Sequence, residues 1–508
     1  MKFQRASGLI LVLILGTAGT LAALHSQQAA PTVKDAQAQA DEKIFAEIHD
    51  HNEIMANLAY LLDMIGARLT GSENLKKAND WTRRRFADYG LGSAHLEAWT
   101  IAHGWTRGAA RGRILSPAEH PLTIASYGWA PGTGGPVSGP LVYVKGESLA
   151  DLEAYKGKLK GAIVITNTPT PLPPQDTPAL NPTLVPYDDP FLLMRPLRPG
   201  EQPEQDRERR RRFVRARLDF LKNEGAIAML TDSGKFDGLL NMTGLGGRNY
   251  GIAPIPAAFV TSENYSLIWR LLQRGPVRVE LDITNSISDK PMEVYNTVAE
   301  IRGSEKPDEF VVLGAHLDSW DLGTGATDNG TGSMVVLEAA RAIEKLGLQP
   351  KRTIHFALFS GEEQGLNGSR AYVAAHKDEV PKISAALIHD TGTGRVISIS
   401  LMRNYQTRQV MDKVVAPLHS LGLLELSERW MTGSDHVPFE EAGVPGFYCI
   451  QDSAQYFQTH HSQVDTFDQA HEAELVEGAQ VMAAWAYNVA QLPELLPRKP
   501  AKDPSLEQ

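Results

Sequence analysis

Two adjacent carboxylates, Glu362 and Glu363, follow an apolar run that ends at Phe359. Adjacent side chains at the end of a strand point in opposite directions, so one can bind a metal ion while the other handles a proton. Histidine nitrogens and carboxylate oxygens form a ligand set that suits zinc. Further residues of these types occur at His316, Asp318, Asp328, Asp390 and His461. The pattern therefore predicts a zinc site.

Each of these residues also has a simple structural interpretation. His316 could lie in a surface turn, Asp328 could cap the N-terminus of a helix, and the Glu362–Glu363 pair could lie in a solvated loop. His461 could be a buried, hydrogen-bonded histidine, and the neighbouring His460 leaves the choice of ligand ambiguous. The common position of most of these residues, next to predicted strand ends, favours the metal site.

The elements expected to position the site alternate between strand and helix patterns from residue 296 onward. This alternation predicts an α/β fold, with a mostly parallel mixed sheet sandwiched by helices. Such sheets bind ligands at the carboxyl ends of their strands. His316, the Glu362–Glu363 pair and Asp390 each follow a predicted strand. Those strands and their neighbours are Val311–Gly314, Ile354–Phe359, Ile383–Ile388 and Gly446–Ile450, with helices at Gly332–Leu346 and Glu474–Leu492.

The ligand types suffice for two metal ions. Hydrolysis of a peptide bond needs an activated water and positive charge near the developing oxyanion, and two zinc ions supply both. Asp328 lies in a Gly-rich segment before a helix, which suits a carboxylate that bridges two ions. His316 and Asp390 would then complete one zinc site, and Glu363 and His461 would complete the other.

The remaining polar residues are assigned supporting roles. Glu362 would be the general base that accepts the proton of the attacking water. Asp318 would orient the imidazole of His316, and Asp465 would do the same for His461, since ligating histidines usually donate their second N–H to a carboxylate or carbonyl.

The bulk composition excludes some classes of protein. A chain of 508 residues is expected to form two or three domains. Its 42% hydrophobic and 22% charged residues are typical of a soluble globular protein. The net charge of -10 and the pI near 5.9 argue against a nucleic-acid partner. The one cysteine, Cys449, lies in a predicted strand, so we expect a buried structural thiol and no intramolecular disulfide.

The N-terminus has the pattern of a secretory signal peptide, predicted over residues 1–24. Lys2 and Arg5 precede the apolar run Leu9–Leu15, and small residues follow it. The run is short for a membrane span, so we favour cleavage over a retained anchor, with no stable membrane insertion afterwards. We expect a secreted or bacterial periplasmic protein. Residues 25–41 are small and polar and are predicted to form a tether.

Residues 126–288 differ from the rest of the chain because they are rich in Gly and Pro and have short apolar runs. The order Lys160–Ile165, Gly225–Ala228 and Ile255–Ala258 resembles a protease-associated domain. The flanking residues 42–125 and 289–492 would then form one discontinuous zinc peptidase domain, and residues 493–508 a C-terminal tail.

The inserted region contains no histidine, so we expect it to do no chemistry. It would instead pack beside the site, where it would narrow access or support a homodimer. Its proline-rich segment Pro169–Pro203 is the part expected to reach the cleft or a partner chain. The basic run Arg207–Arg217 is best interpreted as a solvated helix face, because acidic residues are interleaved with it.

Several segments together resemble the co-catalytic two-zinc exopeptidase family, which includes secreted aminopeptidases, glutamate carboxypeptidase and carboxypeptidase Q. The resemblance spans roughly residues 45 to 492. It implies a peptide substrate, two Zn²⁺ per chain and a cis peptide bond at Asp328–Asn329. The matching segments are Arg68–Ser72, His316–Ser319, Asp328–Gly332, Glu362–Ser369, Ser434–Phe439 and His461–Ser462.

Within that family, the segment Tyr456–Ser462 most resembles carboxypeptidase Q. The second histidine of the pair is the ligand there, which favours His461 over His460. One departure concerns Thr391–Gly394, which replaces the Met-containing turn of many aminopeptidases. The substrate-terminus preference of those enzymes therefore need not apply.

We thus expect a secreted zinc-dependent exopeptidase that hydrolyses short peptides or dipeptides. The motifs do not separate an aminopeptidase from a carboxypeptidase Q-like dipeptidase. A non-catalytic binding protein on the same fold is disfavoured by the intact Glu362. A single-zinc, glutaminyl cyclase-like acyltransferase is disfavoured by the inserted region and by the two complete ligand sets.

Overall fold

Two eight-stranded β-sheets organise the chain. The computed structural model describes residues 33–171, 203–245, 251–452 and 456–499. The predicted signal peptide, the first part of the tether, most of the Pro169–Pro203 segment and the end of the C-terminal tail lie outside these residues.

The first sheet is mixed, with four parallel strands at its centre. Strand Lys306–His316 pairs in parallel with Arg352–Phe359 on one side and Ile383–Ile388 on the other, and Gly446–Gln451 extends this parallel set. The outer strands include antiparallel pairings. The predicted α/β fold is therefore confirmed. In spatial order the strands are His95–Ile101, Met292–Ile301, Arg352–Phe359, Lys306–His316, Ile383–Ile388, Gly446–Gln451, Val396–Ser400 and Glu425–Ser427.

Both faces of the first sheet are covered. Along strand Lys306–His316, Val311 and Leu313 pack in one buried cluster, and Val312 packs in another on the opposite face. This alternation follows from the two-residue period of a strand. Burying each such side chain contributes about 1.5–3 kcal/mol to stability. The stable centre of the sheet therefore positions the loops at its carboxyl edge.

Helices lie on both sides of this sheet. Among the described residues, none combines the length and the apolarity needed to cross a membrane. The α-helices are Val33–His51, Ile54–Ala59, Glu73–Asp88, Leu149–Leu152, Pro203–Asn223, Ser262–Leu272, Thr331–Lys345, Asn367–Ala375, Arg408–Val415, His436–Glu441, Tyr456–Thr459 and Glu472–Ala490.

The predicted tether is helical from Val33 onward, which corrects the expectation for residues 33–41. Ile44 and Ile48 recur at helical spacing and are fully buried. The helix packs against Glu472–Ala490, and the buried Asp41 accepts a hydrogen bond from Asn488 at 3.1 Å. The polar composition of this segment concealed a helix whose stability depends on a partner far away in the sequence.

The second sheet is formed by residues 110–283. It begins before the boundary predicted at residue 126, because strand Ala110–Ser116 pairs with strand Arg278–Ile283 at the far end of the region. In spatial order its strands are His120–Leu122, Ala110–Ser116, Arg278–Ile283, Val137–Tyr143, Ile163–Ile165, Ala228–Asp232, Ala257–Val260 and Ile124–Ser126.

The cysteine Cys449 is buried in strand Gly446–Gln451, with its sulfur 3.5 Å from that of Met482. Burial raises the pKa of its thiol, so the reactive thiolate is disfavoured. These properties agree with the predicted structural thiol.

Candidate metal centre

The predicted site residues meet at the carboxyl edge of the first sheet. His316 is the last residue of strand Lys306–His316. The Glu362–Glu363 pair and Asp390 follow the two strands that flank it in parallel. The carboxyl ends of parallel strands share one edge, so residues far apart in sequence converge there.

His316 forms one group of potential metal ligands with two carboxylates. Its Nε2 atom lies 3.0 Å from Asp390 Oδ1 and 3.3 Å from Asp328 Oδ1. Its Nδ1 atom lies 3.0 Å from the main-chain carbonyl oxygen of Asp318. Burial alone lowers the pKa of His316, but the charge of Asp390 and the hydrogen bonds with all three aspartates raise it well above its ordinary value.

His461 forms a second group around the other oxygen of Asp328. Its Nε2 atom lies 2.9 Å from Glu363 Oε2 and 3.4 Å from Asp328 Oδ2. The ring of His460 stacks on that of His461, and its Nε2 atom lies 3.8 Å from Asp328 Oδ2. Asp328, His460 and His461 also offer three donor atoms within 4.8 Å of one another. His461 has the closer contacts, and His460 is the alternative ligand.

The donor set fits zinc. Two ligands of one tetrahedral zinc, each at about 2.0–2.1 Å, lie roughly 3.4 Å apart, close to the spacings around Asp328. Asp328 Oδ2 and Glu363 Oε1 are buried without a hydrogen-bond partner among the described residues. A buried carboxylate oxygen without a partner is costly, and a bound cation would remove that cost.

The pKa values of Asp328 and Glu363 are shifted in opposite directions. Burial raises the pKa of Asp328, but the hydrogen bond with His316 and the neighbouring histidines outweigh it and lower the pKa below its ordinary value. Burial, followed by the charge of Asp328, raises the pKa of Glu363 well above its ordinary value. Asp328 thus has the stronger tendency to be ionised.

Glu362 differs from its neighbour because its carboxylate forms no hydrogen bond or ion pair with the described residues. It is 9% exposed. Burial is the main cause that raises the pKa of Glu362 well above its ordinary value. Its carboxylate is thus not engaged in a structural contact among the described residues.

Asp318 links three parts of the site. Its Oδ2 atom accepts a hydrogen bond from Thr70 Oγ1 at 2.8 Å, and its Oδ1 atom accepts one from the main-chain N–H of Glu362 at 3.3 Å. Oδ1 also lies 3.5 Å from His316 Nδ1. The main-chain carbonyl of Asp318 is nearer to that nitrogen, so the closest partner of His316 Nδ1 is the backbone of Asp318 and not its carboxylate.

Asp465 has partners other than those predicted. Its carboxylate accepts hydrogen bonds from Thr327 N at 2.6 Å, Thr327 Oγ1 at 2.8 Å and Asp328 N at 3.2 Å. It therefore fixes the loop that carries Asp328 rather than the ring of His461. The peptide bond between Asp328 and Asn329 is cis, which confirms that prediction.

Arg68 is a site-building residue for which the sequence analysis proposed no role. Its guanidinium is fully buried and donates hydrogen bonds to the carbonyl oxygens of Leu317, Thr324 and Gly325 at 2.6–2.7 Å. It joins the loop after His316 to the loop before Asp328. The segment Arg68–Ser72 was among those that resemble the family. The role of Arg68 was not predictable, because its partners are main-chain carbonyl groups, which every residue type has.

The chain is similar to known proteins in sequence and in fold. The family model of Peptidase family M28 matches residues 296–486. The chain is 31% identical over 450 residues to carboxypeptidase Q from Xenopus laevis, covering 88% of each protein. It is similar to a peptidase M28 precursor from Shewanella amazonensis SB2B, with 27% identity and a TM-score of 0.76, covering 92% of this chain and 100% of that one. BSAP, a zinc aminopeptidase from Bacillus subtilis, shares the fold, with 18% identity and a TM-score of 0.60 over 86% of this chain and 94% of that one.

Proposed function

This chain belongs to Peptidase family M28 and is a zinc metallopeptidase, and from that premise we propose that it is a two-zinc exopeptidase acting on short peptides and dipeptides. The observation that carries the proposal is a buried cluster centred on Asp328. One oxygen of Asp328 lies near His316, and the other lies near His461. Glu362 stands beside that cluster with an unbonded carboxylate.

In this proposal His316, Asp328 and Asp390 would hold one zinc ion, and Asp328, Glu363 and His461 would hold the other. Bound zinc ions lower the pKa of a water molecule and polarise a carbonyl group. The protein supplies the fixed positions of these side chains. These positions are supported by hydrogen bonds around the ligands, which involve Asp318, Thr70 and Arg68.

Glu362 accepts the proton of the attacking water and delivers it to the departing amine. Its carboxylate is not used by any hydrogen bond with the described residues, so proton transfer does not compete with a structural contact. The buried surroundings exclude most bulk water, which strengthens the interaction of the carboxylate with charge that develops in the transition state.

The proposed location is outside the cytoplasm, because the N-terminal residues have the pattern of a signal peptide. The second sheet is proposed to be a protease-associated domain that narrows access to the site. This role fits its contacts with the segment Phe457–Gln463, which leads to and past His461. Narrow access would favour short peptides over folded proteins.

A hydrolysis panel tests the proposal. Free dipeptides, N-blocked dipeptides and aminoacyl amides would be incubated with the zinc-loaded protein, and the released amines quantified. We expect release of single residues from short substrates. Cyclase activity on N-terminal glutamine without hydrolysis of any peptide would contradict the proposal.

A further inference from the structure

Lys235 brings a cation from the second sheet to the segment that leads to His461. It lies in the loop after strand Ala228–Asp232 and is only 5% exposed. Its Nζ atom donates a hydrogen bond to the carbonyl oxygen of Phe457 at 2.5 Å and lies 4.9 Å from the centre of that ring. It therefore lies beside the segment that leads to His461.

Other contacts hold the same loop against this segment. The main-chain N–H of Leu240 donates to Gln463 Oε1 at 2.9 Å, and Gln463 Nε2 donates to the carbonyl oxygen of Gly238 at 3.1 Å. Both bonds involve Gln463, which follows His461 in the chain, so Lys235 is not the only residue that links the two sheets here.

The ammonium group of Lys235 lacks an ionic partner. Among the described residues, its hydrogen bond is to a carbonyl oxygen, and no carboxylate lies within 4.0 Å of Nζ. An ammonium group has three N–H donors, so its capacity is not exhausted. A buried charge is usually paired, and this one is available to an anion that is not part of the chain.

The carboxylates near Lys235 already have other partners. Burial lowers the pKa of Lys235 to about 8, while Asp328 and Asp465 oppose that shift, so the group is mainly protonated at neutral pH. Asp465 accepts three hydrogen bonds from Thr327 and Asp328, and Asp328 lies between the two ligand groups.

We propose that Lys235 binds the free α-carboxylate of the substrate, so that this enzyme recognises the carboxyl terminus and cleaves the bond one residue before it. The inference rests on the proposed function. One residue spans at most about 3.6 Å, so a terminal carboxylate beyond the scissile bond stays near the metal centre. A longer peptide would place a neutral amide against the ammonium group. The ring of Phe457, 46% exposed, offers an apolar surface next to it.

The test compares one dipeptide with its C-terminal amide, using wild type, Lys235→Met and Lys235→Arg. For Lys235→Met we expect kcat/KM to fall about 10- to 100-fold on the free acid, the range for a lost hydrogen bond to a charged group. Hydrolysis of the amide should change by less than about threefold. Lys235→Arg should retain part of the preference for the acid. Equal losses on both substrates would overturn the proposal and show that Lys235 only fixes the main chain at Phe457.

Binding provides a readout that does not need turnover. In a Glu362→Gln background, calorimetry with the same acid and amide should show tighter binding of the acid, and adding Lys235→Met should remove that difference. Lys158→Met is the matched control, because this exposed lysine also donates to a carbonyl oxygen, that of Ala154. It should leave the difference unchanged. Acid and amide binding equally in the Glu362→Gln protein would overturn the proposal for Lys235. Absence of zinc-dependent hydrolysis of any peptide by wild type would instead reject the proposed function.

Discussion

The two sides of the metal centre are built differently. On the strand side, His316 is the last residue of a central parallel strand, and Asp390 lies just past the end of the neighbouring one. Glu363 and His461, on the loop side, lie in turns, and His461 has a φ of 55° in the left-handed region that is uncommon for residues other than glycine. The side chain of His316 is 1% exposed and that of His461 is 20% exposed.

This difference indicates that the two sides of the metal centre have different roles. The strand side has little freedom because His316 contacts the carbonyl of Asp318 and ends a strand that is packed on both faces. The loop side contacts the second sheet, where Phe457 meets Lys235 and Gln463 meets Leu240. We infer that the strand side preorganises metal binding, whereas the loop side connects metal binding to substrate recognition.

The largest expected effect separates the two adjacent carboxylates. Glu362→Gln removes the proposed base but no ligand, so turnover should fall by about 10²–10⁴-fold while both zinc ions stay bound. Glu363→Gln should instead reduce zinc content, because it weakens the loop side. Steady-state kinetics and elemental analysis of the same preparations measure both quantities. Equal zinc loss in both variants would show that the assignment of the pair is wrong.

A second substitution pair tests which histidine belongs to the loop side. His461→Ala should lower bound zinc by about one ion per chain, since a structural or catalytic zinc needs at least three protein ligands. His460→Ala, the adjacent control, should retain the zinc content of wild type. Elemental analysis after dialysis distinguishes the two. The reverse result would identify His460 as the ligand, in line with its 3.8 Å separation from Asp328.

A smaller effect is expected from the support of the strand side. Thr70→Val removes the hydroxyl that donates to Asp318 at 2.8 Å, which should weaken zinc affinity by about 10-fold, at the low end for residues that orient ligands. Thr70→Ser keeps the hydroxyl and should behave as wild type. Competition with a chromogenic chelator measures the affinity. An unchanged affinity in Thr70→Val would mean that the main-chain contact of His316 is sufficient.

Position relative to a strand end, on either side of the metal centre, explains what could be predicted from the sequence. His316, the Glu362–Glu363 pair and Asp390 were predictable because the end of each apolar strand marks a position at the sheet edge. The choice of His461 over His460 needed a family resemblance, since a loop histidine has no periodic pattern around it.

The contacts that the sequence did not reveal share one physical cause. Arg68 and Lys235 donate to main-chain carbonyl oxygens, and any residue type can provide such an acceptor. The helix Val33–His51 and the early start of the second sheet depend on packing and strand pairing with segments far away in the chain. Local composition does not encode such long-range pairings.

The central claim is that two zinc ions, sharing Asp328, support peptide hydrolysis. Its most direct test is to remove metal with a chelator, verify the removal by elemental analysis, and titrate Zn²⁺ back while measuring dipeptide hydrolysis and bound zinc. The account predicts no activity without metal and full recovery when about two ions are bound per chain. Activity that persists after verified metal removal would contradict it.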